Sequence, residues 1–165
     1  MPRSVLPALV AVFLALVASV SHAGPPPAWD KRIDKGATRF KVLDKLDGAA
    51  VLDKETGLVW ELAPSSSLFD WASSQNLCVG AVIGGRRGWR LPTAWELMTL
   101  SDPSQNNPSL TAGHPFQNVS IDDNYWSSTP DAENPANALR ERFGTGGGGI
   151  ILAPKTDAAR RWCVR

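Results

Sequence analysis

The sequence predicts an α+β domain with two helices, a mainly antiparallel sheet that joins the N- and C-terminal strands, and one long irregular loop region. Three observations carry this. Short apolar runs separated by turn residues fill Phe40 to Leu62, helix signals follow between Ser65 and Asp102, and runs of strand composition return from Tyr125 to Val164.

Two segments of different character precede the first strand. Residues 1–23 read as a signal peptide: Arg3 supplies the positive region, Val5 to Val20 is apolar apart from Pro7 and Ser19, and Ser21-His22-Ala23 is a small-x-small cleavage site. Residues 24–38 open with Gly24-Pro25-Pro26-Pro27, continue through Asp30-Lys31-Arg32-Ile33-Asp34-Lys35, and read as an extended tether. The folded domain is expected over residues 39–165.

Phe40–Asp44, Ala49–Asp53 and Leu58–Leu62 form a predicted meander, with turns at Asp47-Gly48 and at Lys54-Glu55-Thr56-Gly57. Leu68, Trp71, Ala72 and Cys78 fit one face of a helix with a serine N-cap. Thr93-Ala94-Trp95-Glu96 is a capping box, and Leu97 and Leu100 extend the apolar face of a second helix that should stop near Asp102-Pro103. Ser104 to Asp123 has no sustained period and reads as a loop pinned by Phe116. Tyr125–Thr129, Ala138–Phe143, Ile150–Leu152 and Arg161–Val164 have strand composition, and the glycines between Gly144 and Gly149 make a hairpin loop.

Composition narrows the function. The 165 residues include 17 Lys or Arg, 16 Asp or Glu, two cysteines and two histidines. Loss of residues 1–23 removes Arg3 and His22, which balances the charges and leaves His114 alone. A neutral chain gives no bulk electrostatic motive for nucleic acid. One histidine and two cysteines cannot build a multi-imidazole site or a four-thiolate cluster. No second apolar run is long enough to span a bilayer. The product is expected to be exported, periplasmic or at the cell surface. In an oxidising compartment the even cysteine count reads as a Cys78–Cys163 disulfide; the competing redox reading lacks a Cys-x-x-Cys spacing.

Four segments carry a family resemblance. They are Asp53-Lys54-Glu55-Thr56-Gly57-Leu58-Val59-Trp60, Trp89-Arg90-Leu91-Pro92-Thr93-Ala94-Trp95-Glu96-Leu97, Tyr125-Trp126-Ser127-Ser128-Thr129 and Arg161-Trp162-Cys163-Val164-Arg165. In this order they resemble the Lcl C-terminal domain family, formerly a domain of unknown function. In the last segment Arg161 and Trp162 depart from the family's Val and Arg. The resemblance implies a C-type-lectin-like fold and a disulfide from the first helix to the last strand. One member with this domain is a collagen-like adhesin that binds sulfated polysaccharides.

Several groups could carry chemistry. Trp89 and Arg90 could stack on a sugar or hold a sulfate; alternatively Trp89 and Leu91 are core, Pro92 sets the approach to the capped helix, and Arg90 bridges strands or caps carbonyls. Trp60, Tyr125, Trp126, Ser127 and Ser128 likewise read as structural motif residues. Arg86, Arg87, Arg140, Arg142 and Arg161 form a polyanion site if they converge; alternatively they are dispersed surface charges paired with Glu141, Asp131 and Glu133. Asp122, Asp123 and Asn124 are candidate calcium ligands, though the lectin Glu-Pro-Asn triplet is missing and no cofactor is otherwise expected.

An enzyme is disfavoured. The formylglycine-generating type of metal-dependent oxidase, which has a similar fold, needs cysteines free of structural duty, and His114 has no nucleophile elbow near it. The expected function is non-catalytic binding of an anionic or sulfated glycan in adhesion. The alternative is a protein-interaction module of a bacterial envelope or pilus assembly, docking through the Ser104 to Asp123 loop.

Overall fold

The computed structural model describes residues 32–144 and 148–165. The expected signal peptide, residues 1–23, and the tether up to residue 31 lie outside them. The predicted meander forms from β1 (Phe40–Val42), β2 (Ala50–Asp53) and β3 (Val59–Glu61), antiparallel and in that order. Its second turn is built on one carboxylate. Asp53 accepts the Glu55 amide at 3.0 Å and the Thr56 hydroxyl at 3.0 Å, and Gly57 takes the left-handed conformation that closes the turn.

Asp53 is completely buried, so its charge needs a partner. Arg39 supplies it through Nε at 2.9 Å and Nη2 at 2.7 Å. Arg39 is the last residue of a one-turn helix, α1 (Gly36–Arg39). This turn corrects the expected extent of the tether. Gly36 is buried and donates its amide to Ala112 O at 2.8 Å, and a Cβ there would meet the Gly113–His114 backbone at 2.5 Å. Ile33 donates its amide to Glu55 at 2.9 Å. Residues 32–35, the described part of the charged run that reads as a tether, therefore already lie on the domain, and the four residues of α1 are too few to show a helical period.

The two longer helices are α2 (Trp71–Gly80) and α3 (Ala94–Leu100). The serine expected at the start of α2 is replaced by Asp70, whose Oδ1 accepts the Ser73 amide at 2.8 Å. Leu68 is not helical. It lies in β4 (Leu68–Phe69), paired with β8 (Ala159–Arg160) far along the chain, a partner no local pattern reveals. The capping box of α3 forms as expected, with Thr93 Oγ1 accepting the Glu96 amide and Glu96 accepting the Thr93 amide.

The second sheet adds β5 (Asn124–Pro130), β6 (Asn137–Arg142) and β7 (Gly149–Pro154), in the order β4-β8-β5-β6-β7. All its neighbours are antiparallel except β5 and β8. The expected last strand, Arg161–Val164, is shifted: β8 ends at Arg160, and the chain then leaves that sheet. Residues 163–165 instead bond to β3, with Glu61 N to Cys163 O at 2.9 Å and Arg165 N to Val59 O at 2.8 Å. Val164 also exchanges both backbone bonds with Arg90. The two ends of the domain meet as expected, but through isolated bridges of the terminal segment to β3, while the N- and C-terminal strands themselves form two separate sheets.

Alternation along this terminal segment divides the interior. Trp162 and Val164 enter one core cluster, and Cys163 enters the other. Trp162 is the centre of the first, with ring centroids of Phe116 at 4.9 Å, Tyr125 at 5.5 Å and Trp60 and Phe143 at 5.7 Å. Its indole donates to Glu61 O at 2.8 Å. Phe116 also packs on Phe40 at 4.9 Å, which pins the long loop as predicted. Cys163 joins Cys78 of α2 in the expected disulfide.

These crosslinks set two expectations for stability. Reduction of Cys78–Cys163, which spans 85 residues, is expected to cost about 4 kcal/mol of unfolding free energy in paired urea titrations. Asp53→Asn leaves the buried Arg39 with only the more distant Glu55, 3.6 Å away, as a counter-charge. It is expected to cost about 3–5 kcal/mol in the same titration. A loss below about 1 kcal/mol would show that solvent or Glu55 replaces the pair.

Candidate functional site

The arginines expected to form a polyanion site fall into two groups. Arg86 and Arg87 follow a tight turn in which Ile83 and Arg86 exchange backbone bonds at 3.0 Å. Gly84 and Gly85 both have positive φ, as such a two-residue hairpin requires. A Cβ on Gly84 would strike Leu46 O at 2.3 Å, so the turn is seated against the domain. Arg86 and Arg87 are exposed, and no described carboxylate pairs with either.

Arg165, which lies outside the expected set of five, belongs with them. Val164 pairs with Arg90, and this brings Arg165 Nε to 3.9 Å from the Cβ position of Gly88. Arg165 is exposed and also has no ion pair among the described residues. The signal was present in the terminal motif, but only the pairing with the Arg90 segment shows that the two basic runs are neighbours.

Of the remaining members, Arg140 and Arg161 are engaged elsewhere. Arg161 lies on the same face of the terminal segment as Cys163 and Arg165, but its Nη1 pairs with Glu61 at 3.3 Å. Burial raises the Glu61 carboxyl, an effect that Arg161 and the Cys163 amide partly offset. Arg140 and Arg142 share one face of β6, as the period of two requires. Arg140 lies over the Trp126 ring at 5.7 Å and pairs with Asp157 at 3.7 Å. Arg142 is exposed and unpaired among the described residues, and no described contact joins it to Arg86 or Arg87. The dispersed alternative also needs correction. Glu141, expected as a surface partner, is fully buried, and among the described residues no arginine pairs with it, Asp131 or Glu133.

Trp89 is 2% exposed and donates its indole to Arg86 O at 2.8 Å, so it offers no face to a sugar. It braces the basic turn from within. Arg90 does not bridge strands through its side chain: its two terminal nitrogens grip Glu96 at 2.7 and 2.6 Å, and Nη1 also reaches the Leu91 carbonyl at 3.4 Å, in line with the carbonyl-capping alternative. Desolvation would raise the Glu96 carboxyl, but the bonds from Arg90 and Thr93 outweigh it and hold the group below its usual value. Leu91 and Pro92 are buried, and Pro92 O accepts the Ser128 amide at 2.6 Å. Trp60, Tyr125, Trp126 and Ser127 are buried too. Trp126 donates to Phe69 O, and Ser127 Oγ to Leu139 O.

In the acidic turn one candidate carboxylate is already engaged. Asp123 Oδ2 accepts Arg160 Nε at 2.8 Å and the Ser120 hydroxyl at 3.0 Å, while Asp122 is exposed. Asn124 Oδ1 is buried without a partner, and no group of three His, Cys, Asp or Glu among the described residues could hold a metal. His114 stacks on Phe116 at 5.9 Å, and burial lowers its pKa.

The fold and its sequence motifs define an α+β domain crosslinked from its first long helix to its terminal segment. Residues 49–165 match the model of the Lcl C-terminal domain, and the chain belongs to that family. No curated protein matches the chain.

The Arg90–Glu96–Thr93 unit carries a pH prediction. Because the folded Glu96 carboxyl is lowered, its contribution is complete above the ordinary carboxylate value of 4.5 and is lost as pH falls through the folded value. Glu96→Gln is therefore expected to lose about 1 kcal/mol near neutral pH, through the weakened cap, with the deficit closing in acid. Urea titrations of both proteins across that range test it, and a deficit constant with pH would overturn it.

Proposed function

We propose that this domain is an exported, non-catalytic binding module whose ligand is an anionic, sulfated glycan. The observation that carries this reading is that Arg86 and Arg87, at a turn seated against Leu46 and bonded to the Trp89 indole, have Arg165 of the terminal segment beside the adjoining Gly88, all three exposed and without an ion pair among the described residues. Guanidinium groups bind sulfate oxygens through paired hydrogen bonds, and a preorganised backbone lowers the ordering cost of binding. The family resemblance supports the same ligand class. Export is supported by the N-terminal sequence pattern and by the disulfide; no described helix is long and apolar enough to cross a membrane.

The proposed site is narrower than five converging arginines, since Arg140 and Arg161 already have carboxylate partners. The alternative of protein docking through the Ser104 to Asp123 loop has less support, because Leu110, Thr111 and Phe116 of that loop are buried.

Chromatography on an immobilised sulfated polysaccharide tests the proposal. The protein should be retained at low salt and released as ionic strength rises. Arg86→Ala with Arg87→Ala should weaken binding roughly tenfold, whereas Arg140→Ala should change it little. Elution in the void volume at low salt would overturn the reading.

A further inference from the structure

A second, chemically opposite feature lies on the other face of β6. Cross-strand pairing puts Arg140 beside Trp126, and Glu141 beside Tyr125, so consecutive residues face opposite sides of the sheet. Glu141 points toward the C-terminal end of α3 and helps line a recess of about 290 Å³ with Met98, Ser101, Pro103, Gly148 and Gly149. Met98, Pro103 and Gly149 are exposed and form the rim, while Glu141 is 0% exposed and forms the floor.

The floor is only half satisfied. Glu141 Oε1 accepts the Ser101 hydroxyl at 2.8 Å and the Gly149 amide at 3.0 Å. Among the described residues Oε2 is buried with no donor, and the hydroxyl oxygen of Ser109 is buried without a partner. These groups are close: the Cβ position of Gly148 is 2.9 Å from Ser109 Oγ and 3.0 Å from both Glu141 Oε1 and Ser101 Oγ. A side chain at Gly148 would fill this cluster, and its φ of +81° also favours glycine. Among the described residues no lysine, arginine or histidine lines the recess. Burial pushes the Glu141 carboxyl up, opposed only by the bonds from Ser101 and Gly149.

We propose that this recess binds a primary alkylammonium group, with Glu141 as its counter-ion. A buried carboxylate oxygen without a donor is costly, and an N–H donor carrying positive charge satisfies both the lone pair and the charge. The C-terminal end of α3 adds a negative helix-dipole potential. Met98 and Pro103 offer apolar surface to the methylenes, in the way that long cationic side chains pack their stems. The volume lies just below the roughly 300–1,000 Å³ of whole-ligand sites, which suits one side chain or a small amine. Oε2 is itself buried, so admission requires the lining to rearrange, and Met98 is a flexible side chain of that lining. The same chemistry is offered by a free aliphatic amine and by a lysine side chain of a protein partner.

Amide-resolved NMR titration distinguishes these sources. With n-butylammonium, the Gly149 and Ser101 amides should shift saturably, and n-butanol of equal length should leave them unmoved. N-acetyl-lysine amide should produce the same shifts if a lysine side chain is the natural ligand; binding of n-butylammonium alone would identify a free amine. Glu141→Gln keeps an acceptor for Ser101 and Gly149 but removes the charge, and is expected to weaken binding at least about tenfold. Absence of saturation by both amines, equal shifts with n-butanol, or undiminished binding by a folded Glu141→Gln protein would overturn the proposal. If that variant fails to fold, the wild-type comparison of n-butylammonium with n-butanol decides the matter alone.

Discussion

The structure depends on the buried pair of Arg39 and Asp53. Asp53 closes the turn between β2 and β3 by accepting from Glu55 and Thr56, and its remaining capacity is taken by the Arg39 fork. Arg39 then extends beyond the meander. It donates to Thr99 O in α3 at 2.7 Å and to the Thr111 hydroxyl in the long loop at 3.4 Å, and its guanidinium lies 4.9 Å from the Phe40 ring. One cation thus connects the first sheet, a helix and the loop. Such a pair gains little net energy over an apolar replacement, but once present it is costly to break.

Around that anchor, the terminal segment acts as a divider. Its alternate side chains face opposite cores: Trp162 gathers Trp60, Phe116, Tyr125 and Phe143 on one side, while Cys163 fixes α2 on the other. The backbone of the same segment joins β3 to the Arg90 region. This connection bears on the proposed function, since it carries Arg165 to the neighbourhood of the basic turn that Trp89 braces. β6 has an analogous two-sided character, with Arg140 and Arg142 on one face and Glu141 on the other. The proposed polyanion surface and the proposed cation recess are compatible on a nearly neutral chain, because their charges are held on separate parts of the fold.

Much of the fold was legible locally. The Asp53 to Trp60 turn motif, the Thr93 capping box and the alternating strands each express a short-range rule, and each forms where those rules place it. The Cys78–Cys163 bond was legible from count and compartment. The departures have a common cause. The Asp70 cap displaces a serine because Leu68 and Phe69 leave the expected helix to pair with β8, and α1 begins before Arg39 because Gly36 fits against Ala112 and Gly113. Both depend on residues distant in the chain.

The candidate site was less legible. The arginines suggested an anion site, yet the sequence could not say that Arg140 and Arg161 would be paired with Asp157 and Glu61, or that Glu141 would be buried without a cation among the described residues. Nor could it reveal that Trp89 supports the basic turn from inside. By itself the sequence determined the class of fold, its family motifs, its helix cap and its crosslink, since these rest on periodicity, spacing and local hydrogen bonds. Only the tertiary structure decided which charges are free, because the availability of a charged group depends on burial and on partners that the fold brings from far along the chain, as with Arg161 and Glu61, separated by 100 residues.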